Sequence, residues 1–229
     1  MITFKEYLTE ANISNSVRQR MKELGYKLLG SGVDQAAFLE PKTGKVLKIF
    51  GRGSSRSHGM FEFWANYCKQ HASNPFLPKF DGWEKFQHAN AAGTNGEYIQ
   101  IRMEKLQKLP EGLGETLAGM SHAADESEGL DAKIRAKNKA ALESLVGGSG
   151  EIRKLGSAFY GVNKDEVSKL AILLGRKKFN LLWDTLCDMS DLAEKHGWYL
   201  DLHSDNFMHR NDGIPVIVDP WVVSSDFLW

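Results

Sequence analysis

The chain has 229 residues, 42% of them hydrophobic and 10% aromatic, enough for one large domain or two small lobes with a real core. Its 29 Lys and Arg balance 29 Asp and Glu, which excludes both the basic footprint of a nucleic-acid binder and an acidic solvating tail. Cys68 and Cys187 lack metal-ligand spacing and read as buried thiols of a reducing compartment; no apolar run suits a bilayer span or a secretory signal, so the class that remains is a soluble cytosolic protein.

Residues 3–24 read as helical, with Ser14 or Asn15 capping a second piece. Residues 26–39 hold two short apolar runs around Gly30-Ser31-Gly32, which predicts two strands joined across glycines. Pro41 to Gly44 signals a turn, and Val46–Phe50 is a compact apolar strand interrupted by Lys48. A Gly/Ser/Arg loop at 51–59 precedes an aromatic-rich helix over 60–68, which carries Glu62. Strands are expected at 76–83 and 98–103, separated by a flexible loop at 89–96. Residues 110–129, rich in Gly, Ala and Ser, read as a loop with short helical pieces. An amphipathic helix follows at 130–146, stopped by Gly147-Gly148, and a long one at 177–196, ended by Gly197.

The strongest signal comes late, in Asp201-Leu202-His203-Ser204-Asp205-Asn206 and then Val216-Ile217-Val218-Asp219-Pro220-Trp221. An acid, an amide five residues later and a second acid after a short hairpin-like break are what two-metal phosphoryl transfer needs. Asp201 could orient or accept the proton of a hydroxyl nucleophile, while Asn206 and Asp219 could hold Mg²⁺ against nucleotide phosphates. The bland alternatives are a polar loop with capping residues, a hairpin at Gly30 and Gly32, and a solvent-facing Glu62. A lysine within an apolar strand is costly to bury without a partner, which singles out Lys48. Phe61, Phe63, Trp64, Trp183 and Trp198 read as core, and the basic side of helix 130–146 as a solvated face.

In this order the motifs resemble the protein-kinase-like superfamily, closest to its small-molecule branch of aminoglycoside and choline phosphotransferase type. The resemblance covers roughly residues 27–221. It implies an α+β, bilobal fold: an antiparallel sheet with one helix, then a mainly helical lobe. Gly30 and Gly32 match the nucleotide-covering loop, Lys48 the phosphate-gripping lysine, and Glu62 its ion-pair partner. Glu104 to Leu106 match the hinge whose backbone binds adenine, with Glu104 and Leu106 as contacts. Asp201 matches the catalytic base, and Asn206 and Asp219 the metal ligands. ATP and Mg²⁺ are implied. The domains expected are a leader at 1–24, a nucleotide-binding lobe with hinge at 25–106, and a helical lobe at 107–229, whose insertion is the place to look for the acceptor.

The departures are specific. Tyr199-Leu200 stand where the family has His-Arg or His-Gly, Gln35 replaces the third glycine, and Asp219-Pro220-Trp221 replaces Asp-Phe-Gly. The chain stops at Trp229 without an activation loop, so a truncated helical lobe is expected, with apolar surface that a second copy could cover. The alternatives to a phosphotransferase are an inactive, pseudokinase-like module that binds nucleotide or protein, and a nucleotidyl (AMP) transferase. The acceptor, a host protein or a small molecule, is not readable. Finally, residues 4–11, FKEYLTEA, resemble the capsid-targeting leader of T4-like tailed phages, cleaved after Leu-x-Glu, here between Glu10 and Ala11. That resemblance implies a protein packaged in a phage head and delivered into the bacterial cytoplasm; the alternative is an ordinary amphipathic helix.

Overall fold

A computed structural model describes residues 15–31, 35–51, 55–89, 95–110, 112–125, 132–146 and 162–223. The fold is mixed α and β, with an antiparallel sheet and helices. The chain divides into two compact units, one of Met1–Asn74 with Pro78–Lys105 and the other of Pro75–Leu77 with Leu106–Trp229.

In the first unit, α1 (Asn15–Glu23) precedes β1 (Lys27–Ser31), β2 (Gln35–Leu39) and β3 (Val46–Phe50), followed by α2 (Ser55–Gln70), β4 (Phe80–Ala89) and β5 (Asn95–Met103). Burial alternates along β2, the period-2 mark of a strand with one face on a core. The strands form one sheet in the order β1-β2-β3-β5-β4, with every pair antiparallel. Ala36, Phe38, Leu47, Ile49 and Tyr98 of one face pack with Val17 and Met21 of α1. Phe50, Ile99 and Ile101 of the other face pack with Ala65 of α2, and Phe61 of that helix stacks on Phe50 with ring centroids 3.7 Å apart. β3 is buried on both faces, as a central strand must be. Fully burying residues such as Ile49 or Ile99 contributes about 1.5–3 kcal/mol each.

The second unit contains β6 (Gln107–Lys108), α3 (Leu113–Asp125), α4 (Ala132–Val146), α5 (Lys164–His196), β7 (Tyr199–Leu200), a 3₁₀ turn (Ser204–Asn206), β8 (Phe207–His209), β9 (Pro215–Ile217) and β10 (Trp221–Val222). Small sheets pair β6-β8-β9 and β7-β10. Asn163 caps α5, its side chain accepting from the amides of Asp165 and Glu166. Gly175 breaks the helix at φ 69°, ψ 156°, a conformation open essentially to glycine alone, and Gly197 ends it at φ 67°, ψ 33°. The basic side of α4 meets acids of α5: Arg135 pairs with Asp191, and Lys139 with Asp184 at 2.7 Å. That face is thus an interhelical contact rather than a solvated one.

Three expectations change. Residues 76–83 are not one strand. Pro75–Leu77 belong to the second unit, where the Ile217 amide donates to the Phe76 carbonyl at 2.9 Å and Arg210 bonds the carbonyls of Pro75 and Leu77. β4 starts only at Phe80 and runs on through Ala89, and β5 starts at Asn95, which shortens the expected loop. Residues 113–125, read as part of a loop with short helical pieces, form one helix, α3. Beside Leu117 and Met120 its buried residues are small (Gly114, Gly119, Ser121, Ala123, Ala124), so its hydrophobic period is faint although these positions are buried. The helix expected at 177 is preceded by a further helical stretch from Lys164, the two meeting at the non-helical Gly175. Of the expected leader at 1–24, the motif at 4–11 with its cleavage point after Glu10 lies outside the described residues, as do Gly32 and Gly147-Gly148, while its later part is α1.

Candidate functional site

Lys48 lies mid-β3, half-buried, in register between Ala37 of β2 and Ile101 of β5. By the alternation along β3 it shares a face with Phe50, the face packed against α2, and its ammonium lies 5.6 Å from the Phe50 ring centroid. Glu62 projects from α2, so the lysine and the expected partner acid belong to one helix–sheet layer. Glu62 makes an ion pair that the residue pattern did not announce, to Lys85 of β4 at 2.5 Å. Gly30 sits exposed in β1, opposite Ala37 beside a register shift, with open space where a Cβ would be. Both the Glu104 amide and its carboxylate engage Lys79, at 3.0 and 2.9 Å. Leu106 is buried in the second unit.

The second unit brings Asp201, Asn206 and Asp219 together. β7 delivers Asp201 at its end, the 3₁₀ turn closes the chain back, and Asn206 is its last residue. The Asn206 amide nitrogen Nδ2 donates to the Asp201 main-chain carbonyl and, at 3.3 Å, to its Oδ2. This binds the two residues through the amide nitrogen, and the Asn206 Oδ1 is the acceptor end of the same amide. The Asn206 carbonyl receives the Val218 amide at 2.9 Å, and the Asp201 amide donates to the Pro220 carbonyl at 2.8 Å. Both neighbours of Asp219 are thereby fastened to the loop that carries Asp201 and Asn206.

The electrostatics follow from this crowding. Partial burial raises the Asp201 pKa above the ordinary aspartate value; His203 and the Asn206 hydrogen bond pull it down, and the Asp219 charge adds to the rise. His203 Nε2 stands 4.0 Å from Asp201 Oδ2, and its Nδ1 accepts the Asp205 amide, so it also shapes the turn. Among the described residues no group of three or more His, Cys, Asp and Glu could hold a metal. The oxygen donors of Asp219 and Asn206 nevertheless fit Mg²⁺, which keeps waters and takes one or two carboxylates plus phosphate oxygens.

Several supporting residues carry little local signal. Ser121 of α3 donates to the Leu202 carbonyl at 3.1 Å, inside the Asp201–Asn206 loop. Gly114 lets α3 approach the same loop, since a Cβ there would stand 3.0 Å from the Ser204 Cβ; its place in the run Gly112-Leu113-Gly114 is the only hint. A cavity of about 500 Å³ within the second unit is lined by Lys108, Pro110, Gly114, Ser204, Asp205 and Met208. Lys108 and Asp205 face each other across 3.9 Å, both exposed, an arrangement of little energetic weight.

No protein-family model matches the chain, and no curated protein does. Among solved structures it is similar to an aminoglycoside phosphotransferase from Alicyclobacillus acidocaldarius subsp. acidocaldarius DSM 446, at 12% identity and a TM-score of 0.32. The match covers 84% of this chain and 61% of that one, so the chain spans less than two thirds of the protein it matches.

Proposed function

We propose that the protein is a kinase-like phosphotransferase that uses ATP and Mg²⁺ to phosphorylate a hydroxyl-bearing acceptor. One observation carries the reading: the acid, the amide and the second acid are joined by the Asn206–Asp201, Val218–Asn206 and Asp201–Pro220 hydrogen bonds into one oxygen-rich cluster. Asn206 Oδ1 and the Asp219 carboxylate would hold the cation. Bound Mg²⁺ would neutralise charge on the phosphate oxygens. Asp201 would orient the acceptor hydroxyl and take its proton, and the raised pKa makes its carboxylate a better base than an ordinary aspartate. Residues 25–106 would grip the nucleotide, with Lys48 on the phosphates, Glu62 positioning it and the backbone at Glu104 and Leu106 meeting the base. The phage-head leader, cleaved after Glu10, would make a host component the natural acceptor.

The test is a thermal-shift titration paired with labelled ATP. Mg·ATP at a hundredfold its dissociation constant stabilises by about 2.7 kcal/mol. For a chain of this size that is a rise of about 5–10 °C in Tm. Asp219→Ala should lose the Mg²⁺-dependent part of the shift. Asp201→Ala should keep the shift and lose transfer, since the main-chain carbonyl that Asn206 engages is still present. Absence of any shift with Mg·ATP refutes the nucleotide reading, and transfer that survives Asp201→Ala refutes the assigned base. Stabilisation without transfer identifies a binding module, and label arriving from the α- rather than the γ-phosphate identifies nucleotidyl transfer.

A further inference from the structure

Trp221, two residues beyond Asp219, has no part in the chemistry just described, yet it is anchored through its side chain, its ring and its main chain. It is buried, and its indole N–H donates to the Met189 carbonyl in α5 at 2.8 Å. Its ring packs 5.1 Å from that of Trp198, which stacks on His196 at 4.5 Å. Its main chain pairs with Leu200, immediately before Asp201. On the other side of Asp219, Val218 is buried and its amide is bonded to Asn206; between them Pro220 restricts φ and receives the Asp201 amide. Any swing of residues 218–221 would break these bonds together and expose an indole.

We propose that Trp221 is a positioning residue that holds Asp219 in one fixed conformation, so that the cation meets a preformed ligand rather than one recruited by loop movement. This rests on the reading of Asp219 and Asn206 as cation ligands. A segment held in this way keeps its main-chain bonds whether or not nucleotide is bound, and binding energy is not diverted into ordering it.

Hydrogen exchange of the wild-type protein, in EDTA and again with Mg·ATP, reads the holding directly. The Asp201 and Val218 amides should exchange slowly in both states; fast exchange in EDTA overturns the proposal. Trp221→Phe keeps a ring and removes the indole donor. It should speed those two amides and weaken Mg²⁺, titrated at fixed ATP, each by about tenfold, the factor that one buried hydrogen bond carries. Affinity for metal-free ATP should stay as in the wild type. Equal losses for ATP with and without metal would mean general loosening and overturn the proposal, as would an unchanged Mg²⁺ affinity. If the wild type shows no Mg²⁺-dependent ATP binding, the ligand reading fails and takes the metal half of the proposal with it; exchange in EDTA still decides whether the segment is held.

Discussion

Gly114→Ala is the sharpest test of how the Asp201–Asn206 loop is supported. The added Cβ would lie 3.0 Å from the Ser204 Cβ and 3.3 Å from the Ser204 carbonyl oxygen. Carbon atoms prefer about 3.5–4.0 Å, so α3 or the loop must yield by roughly half an ångström. Overpacking of this kind costs about 1–3 kcal/mol. Relief of glycine's conformational entropy in a helix offsets about 0.5–1 kcal/mol of that. The expected net loss of about 0.5–2 kcal/mol lowers Tm by about 1–8 °C in a chain of this size. Because Ser204 lies between Asp201 and Asn206, the strain falls on the bonds joining them, and Mg·ATP should stabilise this variant less than the wild type. Gly82→Ala is the control: it stands in β4 with nothing within 4 Å of the added carbon, and it should melt within about 1 kcal/mol of the wild type, on either side. A Gly114→Ala protein that melts at or above the wild type would refute the close-approach argument.

The raised pKa of Asp201 sets the sign of a second effect, measured in EDTA. A group whose folded pKa lies above its unfolded one contributes stability that is fully present below the unfolded pKa and is lost as pH rises through the folded pKa. Asp201→Asn removes that loss, so it should melt at or above the wild type at pH 7, and the difference should close as pH falls into the ordinary aspartate range; a lower Tm at pH 7 contradicts the burial argument. Arg210→Met should cost about 2–4 kcal/mol by urea unfolding, since it leaves the carbonyls of Pro75 and Leu77 without their guanidinium donor. A loss under 0.5 kcal/mol would mean that water replaces the guanidinium without penalty.

What could be read from the residues alone was local. Val46–Phe50 is a strand because its apolar residues run unbroken except at Lys48, and Gly197 ends α5 because only glycine enters the left-handed region there cheaply. The spacing of Asp201, Asn206 and Asp219 likewise lies within one short stretch, so a single motif could announce it before the hydrogen bonds between them were known. Tertiary structure decided the rest. α3 declares itself only through the neighbours its small residues can approach, and Phe76 leaves the expected strand because Arg210, 133 to 135 residues away from the carbonyls it binds, draws its segment to β9. Neither effect leaves a periodic trace in the chain, since each depends on what another segment presents at a contact. The same holds for Trp221: composition makes it one more core aromatic, and only its bond to Met189 and its pairing beside Asp201 make it the support of Asp219.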